Sequence, residues 1–212
     1  MRTGKSKNMS LEHQDWDPIS TEEAKIIFGA MAIPWWIAGG VALDLYIGQA
    51  TRVHGDLDVL ILREDQLVFQ QFMSDWDLHK TSQPGLKPWP VGEYLEIGVN
   101  QVWCRKTPES KWCLEVMFMD TIEDEWVYRR ANGIKGSVTD MGWMTSDEIP
   151  CLLPEIQLLY KARLKPAVKD SIDFETILPY LSETQKHWLQ SALKIQYPNG
   201  HPWIIAIDCE GR

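Results

Sequence analysis

Ile37-Ala-Gly-Gly-Val-Ala-Leu-Asp-Leu-Tyr-Ile-Gly48, followed by Thr51-Arg-Val-His-Gly-Asp-Leu-Asp-Val59, decides how this chain is read. Trp35 to Ala38 is a short apolar run that fits a buried strand and leads straight into Gly39-Gly40. Val41 to Ile47 fits a short helix closed by Gly48, a residue suited to the left-handed turn after a helix C-terminus. After a polar loop, Asp56-Leu-Asp-Val-Leu-Ile-Leu62 is aliphatic, β-branched and too short for a helix, which predicts a strand. In a strand, residues i and i+2 share a face, roughly 6.5–7 Å apart along the backbone. Asp56 and Asp58 therefore project together, while Leu57, Val59 and Ile61 point to the other face.

Two converging carboxylates cost repulsion and desolvation, and a divalent cation that prefers oxygen ligands, Mg²⁺ or Mn²⁺, relieves both. Gly39-Gly40 stands between a strand and a helix N-terminus. Without side chains the backbone can approach a phosphate closely, and the free N–H groups of the helix favour an anion. Beside a carboxylate-bound metal, such a turn is equipment for holding a nucleoside triphosphate through an in-line displacement. The polarity of the DxD matters. Its apolar run follows the aspartates, whereas in haloacid-dehalogenase phosphatases and DxD glycosyltransferases the apolar strand precedes them, so those readings fit poorly. Neither a GxxxxGK(S/T) P-loop nor a GxGxxG fingerprint is present. A single DxD is most often a solvated turn, and a single Gly-Gly is most often turn geometry. The functional reading rests on their joint occurrence, with Gly40 and Asp56 sixteen residues apart across a short helix.

Working outward, Ser20 or Thr21 can cap a helix carrying Ile26, Ile27 and Met31, which Pro34 stops. Glu64 to Met73 fits another helix, and Gln83 to Gly98 reads as an irregular loop. Strands are expected at Val99 to Arg105, Trp112 to Met119 and Glu125 to Arg130, the first two forming a hairpin. From Pro150 the pattern turns helical, over Leu152 to Leu164, Lys169 to Leu181 and Ser182 to Ile195. The fold class is therefore α+β of α/β type: a mixed, twisted sheet flanked by helices, plus a small C-terminal helical region. The organisation expected is a flexible extension over 1–18, an α/β domain over 19–149 and the helical region over 150–212. Ligands commonly sit where two such parts meet.

A chain of 212 residues can bury roughly 70% of its unfolded surface, so it needs no disulfide staples. Cys104, Cys113, Cys151 and Cys209 lack ligand spacing and read as reduced thiols. The polar N-terminus has no signal-peptide core, and no apolar run approaches the roughly 20 residues of a membrane span, so the expected location is cytoplasmic. Thirty acidic residues against 21 basic ones leave a net charge of −9, which disfavours nucleic acid as a partner and favours small cationic molecules. Eleven Trp supply flat side chains for pocket walls, which suits stacking on a base or a sugar.

Gly-Gly, a helix, and a DxD opening a strand resemble the nucleotidyltransferase superfamily founded on DNA polymerase β. The wording WWIAGGVALDLYIG…TRVHGDLDVLI is similar to the aminoglycoside 2″-adenylyltransferase-like family. So are VWCRK at Val102 to Lys106, EWVYRR at Glu125 to Arg130, PEIQLLYKA at Pro154 to Ala162 and KDSIDF at Lys169 to Phe174, and the resemblance runs from about Trp16 to Trp203. It implies the fold of that superfamily and a third carboxylate on a neighbouring strand, acting on the metal or as general base toward an acceptor hydroxyl. Glu115 is the candidate, with Asp120 as the alternative. Strand alternation puts Glu115, Met117 and Met119 on one face and Leu114, Val116 and Phe118 on the other.

On the same resemblance, Arg52 and His54 flank the aspartates within reach of a triphosphate or substrate, and Lys161 is a candidate phosphate contact. Asp44 reads as a surface residue or as a cap to the following loop. Lys169, Asp170 and Asp173 read as securing the helical region, and Arg129 and Arg130 face either solvent or the cleft. The expected function is Mg²⁺-dependent transfer of a nucleoside monophosphate, AMP from ATP or the equivalent from another NTP, to a hydroxyl of a small acceptor. A cationic, aminoglycoside-like compound is one option for that acceptor. The alternatives are a non-catalytic nucleotide-binding or regulatory protein on this fold, and a nucleotidyltransferase that modifies protein or RNA. The sequence leaves the oligomeric state open.

Overall fold

A computed structural model describes residues 16–210, so the part of the expected extension before Trp16 lies outside the described residues. Helix α1 (Thr21–Phe28) begins with a capping box: the Ser20 hydroxyl accepts from the Glu23 N–H at 3.1 Å, and the Glu23 carboxylate accepts from the Ser20 N–H at 2.9 Å. It ends at Gly29, short of the stop expected at Pro34. Strand β1 (Trp35–Ala38) falls where expected and passes without a linker into α2 (Gly39–Ile47). Gly48 closes α2 at φ 72°, the left-handed conformation expected of it. Strand β2 (Asp58–Leu62) leads through a 3₁₀ turn over Arg63–Asp65 into α3 (Gln66–Phe72).

Next come β3 (Asp77–Thr81) and β4 (Leu86–Pro88), then β5 (Gln101–Arg105), which forms the expected hairpin with β6 (Leu114–Ile122). Short strands β7 (Glu125–Val127), β8 (Lys135–Ser137), β9 (Gly142–Met144) and β10 (Pro150–Leu152) follow. Four α-helices complete the described residues: α4 (Pro154–Lys161), α5 (Val168–Ile177), α6 (Glu183–Gln196) and α7 (Pro202–Glu210).

The main sheet has the order β4-β3-β5-β6-β2-β1-β10-β9, with β7 and β8 branching from the end of β6. It is mixed. Strand β2 runs parallel to β6 and β1 parallel to β10, and the other pairs are antiparallel. Two registers place the site: Ala38 pairs with Asp58, and Asp58 pairs with Glu115.

Each face of the sheet has its own core. Val59, Ile61, Val116 and Phe118 pack with Phe28 of α1 and Phe69 of α3 on one side. On the other side Leu60, Leu62 and Met119 share a core with Leu158, Leu159, Phe174, Leu189 and Trp203 from α4 to α7. The alternation expected for β2 and β6 thus holds, and both faces are covered. The segment beginning at Pro150 first adds β10 to the sheet beside β1, and the helices after it share that sheet's core. Helix α7, unforeseen in the sequence, is pinned by Trp203 stacking on Phe174 with ring centroids 4.1 Å apart.

Three of the four free cysteines are buried and Cys209 is exposed. Among the described residues no helix is long and apolar enough to cross a membrane.

Leu158 is fully buried at this sheet–helix junction. Leu158→Ala should lower unfolding stability by about 2–5 kcal/mol, read from the urea midpoint. A midpoint unchanged from wild type would mean that the helices do not share the sheet's core.

Candidate active site

Asp58 is the first residue of β2, and Asp56 lies two residues earlier in the preceding loop, outside the strand expected to include it. One carboxylate oxygen from each of Asp56, Asp58 and Glu115 lies within 4.8 Å of the others. The sheet brings this about: parallel pairing of β2 and β6 sets Asp58 opposite Glu115, and the Glu115 N–H donates to the Leu57 carbonyl at 2.9 Å. Glu115 is buried, and its Oε1 accepts a hydrogen bond from the Gln101 side-chain amide.

The electrostatics are those of anions forced together. Burial and the adjacent Asp56 charge push Asp58 up to about 7, against the pull of Lys161, Lys169 and Arg52. Burial, with the Asp58 and Asp56 charges, pushes Glu115 up to about 8. An all-oxygen donor set at this spacing, destabilised when ionised, fits a hard divalent cation. Asp120, the alternative third carboxylate, lies five residues further along β6 and is bound to Arg63 instead.

The two glycines act differently. Gly39 has φ 67°, and a Cβ there would overlap the Asp58 carboxylate, so this residue lets the aspartate rest directly against the turn. Its N–H is already used, donating to Gln157 Oε1 at 2.8 Å. A Cβ on Gly40 would overlap the Arg52 guanidinium and the His54 ring. The bare backbone of Gly40 thus lets the 51–54 loop fold over the start of α2, and a phosphate reaching this turn meets those two side chains. Asp44 pins the loop: its carboxylate oxygens accept from Thr51 Oγ1 at 2.6 Å and contact His54 Nε2 at 2.6 Å. Of the two roles left open for Asp44, the structure supports the loop cap.

Positive charge surrounds the carboxylates. Asp173 on α5 accepts a forked pair from Arg52, at 2.9 and 3.1 Å, and also holds Lys161 at 2.7 Å. Lys161 lies 3.5 Å from Asp170. The two aspartates thus tie α5 to α4 and to the loop, as expected of them. Lys169 departs from expectation. It is exposed, forms no ion pair among the described residues, and its charge acts on both Asp58 and Glu115. The signal lay in the KDSIDF wording, where Asp170 and Asp173 turn inward and their neighbour faces the site.

The architecture defines a class first: this is the nucleotidyltransferase fold. A solved structure of the antibiotic-resistance factor ANT(2″)-Ia aligns with a TM-score of 0.55 and 13% identity, covering 90% of this chain and 95% of that one. The lincosamide adenylyltransferase LnuA, bound to lincomycin, aligns with a TM-score of 0.52 and 20% identity, covering 76% and 98%. ANT(2″)-Ia in complex with adenylyl-2″-tobramycin aligns with a TM-score of 0.51 and 13% identity, covering 81% and 92%. At these identities the likeness is one of fold. Within the class, residues 24–86 match the family described as aminoglycoside-2″-adenylyltransferase, and the chain resembles that family through the segment carrying β1, α2 and both aspartates. This span is shorter than the resemblance read from Trp16 to Trp203. Comparison with curated protein sequences finds no match.

Gly39→Ala should displace the Asp58 carboxylate and weaken divalent-cation binding at least tenfold (~1.4 kcal/mol) in a thermal-shift titration; an unchanged midpoint concentration would show that the contact is dispensable. The raised pKa values set a pH dependence. A carboxyl that is harder to ionise folded than unfolded withdraws stability as pH rises, here from about 4 toward 8, because the native state then binds more protons than the unfolded one. A cation must displace those protons. Mg²⁺ should therefore stabilise the protein at progressively lower concentration between pH 6 and roughly pH 8.5. A flat profile would contradict the linkage.

Proposed function

We propose that this chain is an enzyme that transfers a nucleoside monophosphate, AMP from ATP, to a hydroxyl of a small acceptor and releases pyrophosphate. The single observation that carries this reading is the meeting of Asp56, Asp58 and Glu115 against the Gly39 turn. These residues would hold Mg²⁺ or Mn²⁺, which when bound neutralises the triphosphate and stabilises charge at the α-phosphorus. Arg52, Lys161 and Lys169 put positive charge on the same side for the departing pyrophosphate, and His54 is placed at its edge.

Glu115 is buried and anchored by Gln101, so one carboxylate oxygen is fixed while the group as a whole faces the cluster. In the proposed step the acceptor hydroxyl gives its proton to a carboxylate oxygen of Glu115. The acceptor oxygen bonds to the α-phosphorus as the bond to the bridging oxygen of pyrophosphate breaks. Two solved structures of this fold carry lincomycin and adenylylated tobramycin, which supports a small hydroxylated acceptor here. Retention of all three carboxylates weighs against a non-catalytic nucleotide-binding role. The net charge of −9 weighs against RNA. Four free thiols suit a reducing compartment such as the cytoplasm.

With labelled ATP, Mg²⁺ and a panel of hydroxylated acceptors, wild-type protein should release pyrophosphate. Asp56→Asn and Asp58→Asn should lower that rate by on the order of 10³ while cooperative unfolding persists. Both variants retaining wild-type turnover would defeat the assignment.

A further inference from the structure

Next to the carboxylates the same face of the sheet holds a narrow hollow with about 30 Å³ of room. Leu60 and Met117 lie in it. They follow Asp58 and Glu115 on that face and pair with each other across β2 and β6, so the hollow starts roughly 7 Å along the strands from the cluster. Two amides join it to the site: Gln101 donates to Glu115, and Gln157 accepts from the Gly39 N–H. Leu152 and Tyr160 add apolar wall.

The charge in this wall comes from one side chain. Arg129 lines the hollow, and together with Asn100 it also lines a wider adjoining one of about 470 Å³, which has the room for an acceptor's body. Its neighbour Arg130 is engaged through Nη1, which donates to the Tyr160 carbonyl at 2.9 Å and to the Tyr128 hydroxyl at 3.1 Å. Arg129 is exposed and, among the described residues, has no such partner. Asp120 is the one carboxylate lining either hollow, and Arg63 already holds it. Two guanidiniums against one carboxylate leave these walls with a net charge of +1.

We propose that the acceptor carries a carboxylate on a compact, partly apolar body, and that Arg129 grips that carboxylate while the hydroxyl reaches Glu115. This rests on the transferase reading above. The overall charge of −9 attracts cations at long range, but outside the metal-binding cluster the carboxylate lining these hollows, Asp120, is already held by Arg63, so the ammonium groups of a polycationic sugar find none free there. One uncompensated guanidinium matches one negative charge, which suits a carboxylate better than a dianionic phosphate.

The test is calorimetry on the full chain loaded with Mg²⁺ and a non-hydrolysable ATP analogue. The probes are 3-phenyllactate, its neutral counterpart 3-phenyl-1,2-propanediol, and tobramycin. 3-Phenyllactate should bind about tenfold or more tightly than the diol, and Arg129→Gln should abolish that difference while Arg129→Lys keeps part of it. Tobramycin should not compete. Tobramycin binding more tightly than 3-phenyllactate, no 3-phenyllactate binding, or an unchanged preference in Arg129→Gln would each overturn the proposal. Nucleotide binding is read in the loading step. Its failure would sink the transferase reading, while the preference for the anion remains measurable on nucleotide-free protein.

Discussion

Three carboxylates held within reach of one cation repel one another, and much of this molecule is arranged to bear that repulsion. The parallel register of β2 and β6 sets Asp58 against Glu115, and the loop before β2 adds Asp56. The aliphatic residues between them anchor both strands in two cores, one on each face of the sheet. Left without a counter-ion, the arrangement raises the pKa of Asp58 and of Glu115 by burial and mutual charge. That cost has no structural return unless something positive fills the space.

The surroundings distribute positive charge without quenching the cluster. Arg52 and Lys161 share the carboxylate of Asp173, and Lys161 also meets Asp170, so this group is balanced and the exposed Lys169 adds unpaired positive charge acting on the carboxylates. Such shared partners hold long side chains in one geometry, limiting what must be ordered when an anion arrives. The glycines complete the design by subtraction: removing a side chain at position 39 admits Asp58, and removing one at position 40 admits the 51–54 loop.

The segment from Trp35 to Leu62 was legible in the sequence because each local signal agreed with the next. An apolar run, a glycine turn, a capped helix and an aliphatic strand left one reading, and the structure differs chiefly in starting β2 at Asp58. The place of Glu115 followed from alternation along β6 once a family likeness implied a third carboxylate. Strand β3, DLHKT, was hidden because it lies near the sheet edge and satisfies its charges locally, with Lys80 paired to Glu96 and Asp77 to Arg105. Strands β8, β9 and β10 are three residues each, too short for any period to show. Arg129 and Arg130 are adjacent and chemically identical. Only the tertiary partners, two tyrosines for one and a hollow for the other, separate them.

The most direct measurement is a crystal soaked with Mn²⁺ and a non-hydrolysable ATP analogue, with anomalous scattering used to locate the ion. An anomalous peak about 2.0–2.3 Å from oxygens of Asp56, Asp58 and Glu115, bridging to the triphosphate, is the predicted result. Manganese bound elsewhere, with the three carboxylates turned away from one another, would contradict the account.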